Sequence, residues 1–407
     1  MKVRSITLFA DVDAKLDNAQ LAAYALFAGQ AKLSFEEAGY EVQTTRLATR
    51  TSAALLNGPW ESRLAEWCSR FEAAACSHGF EFISVGPMAG RMLDQVPDVL
   101  RASHALFVTS QIIDPMSGRI DGDCITRSAH VIREAAGIED GFGNLRFAAL
   151  ANVRPWTPFF PGSFGVPGEK AFALAIESAD LAIAACQGAG NAAIAHERLV
   201  TAIEDSCSGM EAVARRVAQA QSVPFRGIDL SLAPFPGQEC SIGGALELLS
   251  GQPLGSPGTL AAAATLTDAI DKAEFEHTGY CGLMMPVLED SVLARRAAEG
   301  RLNIGELLQW SAVCGTGLDT VPVPGDTSEG AIARVLYDVA ALSARLGKPL
   351  TARLMPLPGK SAGDPVDFDF AYFAPGGVVD LADSGETGLL DKTDALSLSA
   401  RQPRATN

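Results

Sequence analysis

The chain has little charge, few aromatic residues and no long hydrophobic run. Of its 407 residues, 20% are charged and 7% are aromatic, whereas 48% are apolar. This composition excludes a disordered chain and suits a large, closely packed α/β body. No apolar stretch approaches the roughly 18 uninterrupted residues of a membrane span. The N-terminal segment MKVRSITLFADVDA lacks a small-residue cleavage site, so we expect it to form a first strand in a cytoplasmic protein without a membrane partner.

Basic residues are also scarce. The chain has 32 Lys and Arg against 48 Asp and Glu, which gives a formal net charge of −16. Because phosphate contacts need clustered Lys and Arg, this balance argues against a nucleic acid partner. A small anionic ligand needs only one or two local arginines, so the partner we expect is a small-molecule substrate.

The eight cysteines form no CxxC pair. This absence excludes a zinc ribbon and a thioredoxin-like motif. Irregularly spaced cysteines in a long chain of this kind predict free thiols in a reducing compartment.

Strand-like and helix-like segments alternate along the chain, which predicts an α/β fold with a largely parallel sheet or a barrel. The predicted strands run from VRSITLFA (3–10) to LTARLMPL (350–357) and FDFAYFA (368–374), and include LMMPVL (283–288). No linker interrupts the alternation. We therefore predict one large domain over residues 1–380 and a loosely held polar tail over residues 381–407.

Loops that leave strands often carry function in α/β folds, and the first of interest is NVRPWTPFFPGSFG (152–165). Arg154 and Ser163 are polar side chains in this otherwise apolar loop. Arg154 could hold a carboxylate or phosphate with two hydrogen bonds. The alternative is a rigid aromatic corner from which Arg154 reaches the solvent.

The second loop follows the strand in GIDLSLAPFPGQECSIGGALE (227–247). Asp229 lies in this apolar strand, and because an unpaired buried carboxylate is costly, Asp229 should have a structural donor, a substrate or a metal as its partner. Ser241 precedes a predicted helix whose first N–H groups could bind an anion. The alternative is that Ser241 simply caps that helix.

The stretch HTGYCGLMMPVLED (277–290) carries a histidine, a cysteine and two acids. His277 and Cys281 have helical spacing, but Gly279 between them and Gly282 after them disfavour a continuous helix and hence a shared metal site. Glu289 and Asp290 end a predicted strand and begin a helix. They are either partners of the helix N-terminus or carboxylates of a functional site.

The stretch SAVCGTGLDTVPVPGD (311–326) contains the most conspicuous cysteine. Residues 303–313 have helical periodicity, and two glycines end that helix at Cys314. The negative end of the helix dipole disfavours a thiolate there, although a neutral thiol remains compatible with hydrogen-atom transfer. Asp319 and Asp326 flank the proline-rich part, and Asp326 is also a candidate helix cap.

Two cations stand out in KPLTARLMPLPGKSAGD (348–364). Arg353 lies within an apolar strand and is therefore predicted to pair with a buried acid. Lys360 follows in a Gly/Pro loop that could bind an anion. That loop lacks the full phosphate-loop pattern, so its indication of function is weak.

Several of these stretches together resemble an uncharacterised bacterial and archaeal family, domain of unknown function 711. The stretches are NLRFAALANVRPWTPFFPGSFG, GIDLSLAPFPGQECSIGGALE, GLMMPVLED, SAVCGTGLDTVPVPGD and KPLTARLMPLPGKSAGD. The resemblance implies an α/β barrel of about ten strands, related to pyruvate formate-lyase and ribonucleotide reductase. In those relatives a loop through the barrel presents a cysteine, and Cys314 would be that thiol here.

A glycyl radical mechanism is not expected. The stretch YFAPGGVVD has two glycines without the surrounding radical-glycine pattern, and no cysteine spacing suits an iron–sulfur cluster. Family members usually carry other residues at positions 240 and 281. Cys240 and Cys281 could therefore add chemistry that is particular to this chain.

The leading hypothesis is an enzyme of lyase or redox type that acts on a small polar or carboxylate-bearing substrate inside the barrel. Cys314 would be the reactive or positioning thiol, with Asp229 and Asp319 as acid–base groups. The predicted substrate-binding residues are Arg154, Ser163, Ser241, Arg353 and Lys360.

Two alternatives remain open. A metal-dependent enzyme would hold a divalent cation with ligands drawn from Glu289, Asp290, Asp326 and His277. A non-catalytic ligand-binding or regulatory protein would keep the barrel without its chemistry. In any of these cases we expect a homo-oligomer, with a dimer as the default.

Overall fold

The architecture is a mixed α/β fold around one large, mostly parallel sheet of nine strands. The computed structural model describes residues 2–50, 63–115, 117–382 and 385–400. The strands of these residues are β1 (Lys2–Phe9), β2 (Val42–Ala48), β3 (Phe82–Met88), β4 (Leu106–Gln111), β5 (Arg119–Asp121), β6 (Phe147–Ala151), β7 (Ala171–Glu177), β8 (Phe225–Ala233), β9 (Gly317–Pro324), β10 (Leu350–Leu357), β11 (Pro365–Val366), β12 (Gly376–Gly377) and β13 (Ala395–Ser397). The large sheet has the order β8-β7-β1-β2-β3-β4-β6-β10-β9, and β11–β12 and β13–β5 form two small sheets.

The strands of the large sheet run in two directions. Five adjacent strands, β1, β2, β3, β4 and β6, are parallel to one another. On one side, β7 is antiparallel to β1 and parallel to β8. On the other side, β10 is antiparallel to β6 and parallel to β9. The two outer pairs therefore run in the same direction as each other and opposite to the central five.

Helices connect the strands. Within the described ranges they are α1 (Asn18–Glu37), α2 (Leu64–Ser77), α3 (Val96–Arg101), α4 (Gly122–Ala135), α5 (Ala179–Cys186), α6 (Ala192–Gln221), α7 (Ile242–Ser250), α8 (Thr259–Lys272), α9 (Ser291–Ala298), α10 (Ile304–Ser311) and α11 (Glu329–Leu346). Side chains of Asp17, Asn191 and Ser328 cap three of them by accepting a hydrogen bond from the first turn. Each of these helices is too short or too polar to cross a membrane.

The helix-covered face of the sheet holds the main hydrophobic core. Leu8 of β1, Ile83 of β3 and Val108 of β4 belong to one cluster with Phe35 of α1 and Phe71 of α2, and all five are fully buried. Strands that are covered by helices become nearly continuous apolar runs. For this reason, most of these strands could be predicted from the sequence.

Two predicted strands are wrong, and one strand of the large sheet was not predicted. Residues 283–288 contribute only a single bridge, at Pro286, and otherwise form irregular chain. Residues 368–374 form irregular chain whose aromatic rings pack around Phe142 in tilted and edge-to-face arrangements. Conversely, β9 contains two prolines and begins with a glycine, which suggested a loop in the sequence.

The other face of the sheet curls around loop 152–165. The hydrophobic cluster on this face consists of Ala148, Leu150, Val153, Phe159, Phe164, Ala175, Ala233, Tyr280 and Met284. The cluster includes residues of β6 and of β7, although four strands lie between β6 and β7 in the sheet. Residues of these two strands can share one cluster only because the sheet is strongly curled. The loop is fixed in place by hydrogen bonds from Thr7 Oγ1 to Pro158 O (2.9 Å) and from Ser84 Oγ to Ser163 O (2.6 Å).

The segment 276–289, between α8 and α9, contacts both edges of the large sheet. Met284 N donates a hydrogen bond to Ser231 O of β8 (2.9 Å), and Val287 N donates to Asp319 O of β9 (3.0 Å). A single parallel bridge also joins the segment to each of these two strands. One irregular segment is therefore hydrogen-bonded to both outer strands.

The described part of the polar tail is attached to the rest of the fold. Residues 395–397 form β13, which pairs antiparallel with β5. Tyr337 Oη of α11 donates a hydrogen bond to Thr393 O (2.8 Å). The attachment uses backbone hydrogen bonds, which composition does not reveal.

Candidate functional site

A cavity of about 160 Å³ lies on the curled face of the sheet, beside loop 152–165. Four strands and the 276–289 segment supply polar lining residues, which include Arg4, Gln43, Thr44, Arg46, Tyr280, Glu289, Asp319, Thr351 and Arg353. Much of the remaining lining is aromatic and includes Phe82, Phe107, Phe142, Phe159, Phe160, Phe370 and Tyr372. An apolar concave site with a few convergent polar groups is the usual form of a small-molecule site.

Four charged side chains, three of them buried and one half-buried, form a network in this cavity. Arg353 of β10 donates from Nε to Asp319 Oδ1 (2.6 Å) and from Nη2 to Glu289 Oε1 (2.8 Å). Arg4 of β1 donates from Nη2 to the other oxygen of Glu289, Oε2 (2.6 Å). The prediction that Arg353 pairs with a buried acid is confirmed, and it pairs with two.

Two of these residues owe their position to β-bulges. Arg4 is the extra residue where β1 slips against β7, between Val3 and Ser5. Asp319 and Thr320 of β9 together face one residue of β10. Thr320 has a positive φ of 41°, which is strained for a β-branched residue. Bulges redirect side chains and are frequent beside active sites, which fits both positions.

The two acids of the network differ in their protonation behaviour. Burial raises the pKa of Asp319 above its ordinary value, although Arg353 opposes the rise. Burial also acts on Glu289, but the guanidinium groups of Arg4 and Arg353 outweigh it and hold the pKa of Glu289 below its ordinary value. Of the two acids, Asp319 is therefore the one that takes up a proton more readily, and Glu289 the one that holds its negative charge more firmly.

A further arginine of the cavity has no acidic partner. Arg46 of β2 donates from Nε to Thr44 Oγ1 (2.9 Å), and its guanidinium carbon lies 5.5 Å from the ring centroid of Phe82 and 5.1 Å from that of Phe160. Its side chain forms no ion pair with any residue that the structure describes. Arg4 and Arg46 were not among the site residues predicted from the sequence. The signal that singled out Arg353, a cation inside a strand, was present in both VRSITLFA and EVQTTRLA.

Asp229 of β8 has three donors and lies outside the cavity lining. It accepts hydrogen bonds from Ser231 Oγ, from Tyr280 N (2.7 Å) and from Cys281 N (3.0 Å), and it is fully buried. The expected partner of this carboxylate is thus found, and it is the backbone of the 276–289 segment. Burial nevertheless raises the pKa of Asp229 to about 6.

Three further predicted site residues have structural partners. Ser241 caps α7, since Gly244 N donates to its Oγ (2.9 Å), which confirms the capping alternative. Asp290 caps α9 and accepts from Val292 N, Leu293 N and Ser241 Oγ. Ser163 donates from Oγ to carbonyl oxygens of its own loop. None of the three lines the cavity.

The remaining cation and metal candidates are dispersed. Arg154, Lys360, Asp326 and His277 are solvent-exposed and are not part of the cavity lining. His277 stacks on Phe275 with ring centroids 3.7 Å apart. Throughout the described part of the chain, no three His, Cys, Asp or Glu side chains come together in a way that could hold a metal ion.

Cys314 is a core residue at the end of α10. It is fully buried in the main hydrophobic cluster and is not among the cavity residues. Its backbone N donates to Trp310 O (2.8 Å), and Lys348 Nζ donates to the carbonyls of Ser311 and Cys314, so this helix end is capped by a lysine. The loop that runs along the inner face of the sheet is instead 152–165, which contains no cysteine.

The other two cysteines of interest also lie outside the cavity lining. Cys281 donates from Sγ to Ile228 O (3.2 Å) and Thr278 O (3.1 Å), and burial raises its pKa well above the ordinary value. Burial also raises the pKa of Cys240. Neither position favours a reactive thiolate.

Comparison with known proteins identifies relatives whose activity is not established. The chain is 36% identical over 282 residues to a UPF0210 protein of Methanopyrus kandleri, a match that covers 67% of this chain and 62% of that protein. It is 30% identical over 353 residues to a UPF0210 protein of Pyrobaculum islandicum, with 82% of this chain and 78% of that protein covered. A UPF0210 protein of Pelotomaculum thermopropionicum matches at 30% identity with the same coverage.

The family model described as Uncharacterised ACR (DUF711) matches residues 1–373, which include every residue of the cavity described above. The chain therefore belongs to the DUF711 family, whose members compared above carry the name UPF0210 protein.

Proposed function

We propose that this protein is an enzyme of lyase type that acts on a small carboxylate-bearing molecule by proton transfer in the cavity. The observation that carries the proposal is the position of Asp319. Its Oδ1 is held by Arg353, while Oδ2 accepts no hydrogen bond from any described residue. Asp319 lines the cavity and is 9% exposed. One oxygen of a fixed carboxylate is thus left for a ligand.

The environment of Asp319 suits a general acid or base. A catalytic acid–base group works best when its pKa lies near the working pH, and burial moves the pKa of Asp319 in that direction. Glu289 accepts hydrogen bonds from both Arg4 and Arg353, and its pKa is lowered. Glu289 therefore keeps the two arginines in place while Asp319 exchanges the proton.

The proposal gives the cysteine no part in the reaction. The sequence suggested a thiol on a central loop, but Cys314 packs in the main core and does not line the cavity. A proton transfer by Asp319 needs neither a thiol nor an electron acceptor. For this reason we favour lyase over redox chemistry.

We also propose that the large sheet closes into a barrel through the 276–289 segment. The hydrogen bonds of Met284 N to β8 and of Val287 N to β9 support closure, as does the curl of the sheet around loop 152–165. Closure predicts that these two amides exchange with D2O as slowly as amides of the central strands. Exchange at the rate of exposed loop amides would contradict it.

Deuterium incorporation tests the proposed chemistry while the substrate itself is still unidentified. A panel of small carboxylic acids is incubated with the protein in D2O, and loss of C–H signal beside the carboxylate, or formation of a new alkene, is followed by ¹H NMR. We expect catalysed exchange or elimination for one chemical subset of the panel. Asp319→Asn should lower the rate by roughly 100-fold or more, as loss of an acid–base group does.

Asp326→Asn is the matched control, because Asp326 is an exposed acid of the same stretch and should retain the full rate. Retained exchange in Asp319→Asn would contradict the proposal. If acids bind to the wild type but none undergoes exchange or elimination, the protein is a ligand-binding protein and the enzymatic proposal fails.

A further inference from the structure

One cation of the cavity is buried and lacks a partner for most of its donors. Arg46 is 7% exposed, and only its Nε has a hydrogen-bond acceptor, Thr44 Oγ1, among the described residues. Both Nη groups, which carry four N–H donors between them, form no hydrogen bond or ion pair with the part of the chain that the structure describes. The side chain lines the cavity.

The other three arginines of the cavity lining have hydrogen-bond acceptors for both of their Nη groups. Arg4 and Arg353 share Glu289, and Arg353 also holds Asp319. Arg146 donates three hydrogen bonds to Ser103 and to the carbonyl of Leu100. The charges of Arg4 and Arg353 are therefore balanced by Glu289 and Asp319. Arg46, in contrast, contacts no acidic side chain among the described residues.

A buried charge without a partner is costly. Burial, reinforced by the nearby charge of Arg4, lowers the pKa of Arg46 to about 9. The guanidinium nevertheless remains protonated at neutral pH. A negatively charged ligand would supply the missing acceptor oxygens and remove this cost.

The aromatic neighbours restrict which anions fit. Phe82 and Phe160 flank the guanidinium, and Phe107 packs edge-on against both rings, with centroids 5.5 Å and 5.3 Å away. This arrangement fixes the guanidinium plane and leaves its two Nη groups to bind a planar, bidentate acceptor. The rings that flank the guanidinium are apolar, which favours an apolar group on the ligand next to its carboxylate.

We infer that Arg46 is the anchor for the carboxylate of a monocarboxylic acid whose apolar body lies against the aromatic wall of the cavity. The inference rests on the proposed function in that both place the substrate in this cavity, and it deepens that proposal by naming the anchor and the class of substrate. It assigns Arg46 to binding and Asp319 to chemistry, so the two assignments can be separated by experiment.

The test measures binding of three probes by isothermal titration calorimetry: benzoate, its neutral isostere benzamide, and inorganic phosphate. For the wild type we expect benzoate to bind at least about tenfold more tightly than either of the others. Arg46→Gln should weaken benzoate binding at least about tenfold and abolish the preference over benzamide, and Arg46→Lys should fall between the two.

Two variants serve as controls for the assignment. Arg154→Gln removes an exposed arginine outside the cavity and should leave benzoate affinity unchanged. Asp319→Asn should keep benzoate affinity within about threefold of the wild type while losing turnover. Circular dichroism and thermal melting establish that each variant is folded, and if Arg46→Gln fails to fold, Arg46→Lys decides the question.

Four outcomes would overturn the inference: no benzoate binding to the wild type, equal affinity for benzamide, tighter binding of phosphate than of benzoate, or unchanged benzoate affinity in a folded Arg46 variant. Failure of the proposed function has a different signature. In that case Arg46-dependent benzoate binding persists, but no acid of the panel exchanges deuterium. Conversely, Asp319-dependent exchange with benzoate binding that is independent of Arg46 would overturn only the anchor.

Discussion

Asp229 and Asp319 are both buried acids on the outer strands of the large sheet, yet their surroundings differ in kind. Asp229 of β8 is fully buried and accepts hydrogen bonds from a hydroxyl and two backbone N–H groups. Asp319 of β9 faces the cavity and accepts a hydrogen bond only from Arg353 among the described residues. From the sequence, both were predicted to be acid–base groups.

The comparison shows that the number of hydrogen-bond donors supplied by the protein distinguishes an acid with a structural role from one that is available for chemistry. Every donor of Asp229 comes from its own strand or from the 276–289 segment, so this acid fixes the turn in that segment. Gly279 of the turn has φ 71°, and a Cβ there would collide with the Asp229 carboxylate. Asp319, in contrast, lies in a bulge that keeps one oxygen away from such donors.

The largest effect is expected when the cation that holds Asp319 is removed. Arg353→Met leaves Asp319 without its donor and Glu289 with only one, so we expect a loss of about 3–5 kcal/mol in the free energy of unfolding. Urea denaturation followed by circular dichroism measures this loss. Arg154→Met is the matched control and should change stability by about 0.5 kcal/mol or less. A loss below about 1 kcal/mol for Arg353→Met would show that the network does not stabilise the fold.

Removal of the structural acid should come next. Asp229→Ala leaves Ser231 Oγ and two buried N–H groups without an acceptor, which should cost about 3 kcal/mol. Asp319→Asn should cost only about 1 kcal/mol, since it preserves shape and removes a charge that burial disfavours. The same urea titrations compare the two variants. If Asp319→Asn were the more destabilising, the distinction between the two acids would not hold.

The pH dependence of stability sharpens the same contrast. The pKa of Asp229 is about 6 in the folded protein, against an ordinary value of 3.8. The folded state therefore binds the proton of Asp229 more tightly than the unfolded state does. Protonation of Asp229 contributes fully to stability below about pH 4, and this contribution is lost as the pH rises through 6. We expect the stability advantage of the wild type over Asp229→Asn to shrink by about 3 kcal/mol across this window. An advantage that grew with pH would contradict the assignment.

The smallest effect is expected at the cysteine that the sequence made most prominent. Cys314→Ala removes one sulfur atom from the main core, so it should cost about 1 kcal/mol of stability. Benzoate affinity and the rate of deuterium exchange should remain unchanged, because the side chain does not line the cavity. Loss of exchange in a folded Cys314→Ala variant would restore the thiol to the mechanism. It would also remove the reason for preferring Asp319.

Local sequence patterns predicted some residues of the site correctly. Arg353 in an apolar strand indicated a buried ion pair, and the structure contains it. Ser241 before a helical pattern indicated a cap, and it is one. Such inferences succeed because a helix start or a buried cation imposes the same requirement in any fold.

Other assignments depended on contacts that no local pattern encodes. Arg46 occupies a polar position of the alternating segment EVQTTRLA, and alternation alone is compatible with a solvent-exposed face. The curl of the sheet and loop 152–165 turn that face into the wall of a cavity, where Phe160 of the loop covers the guanidinium. The segment 368–374 alternates just as regularly but forms irregular chain beside the same cavity.

The sequence by itself determined the α/β fold, most of its strands and helices, and the presence of charged residues inside apolar strands, since these depend on periodicity and local capping. The tertiary structure alone decided which charged residues form the cavity and which acid keeps a free oxygen. It did so because the donors around Asp229 and the bulges at Arg4 and Asp319 arise from pairing between segments that are far apart in the chain. Whether a buried acid is structural or available for chemistry is therefore a property of those distant partners.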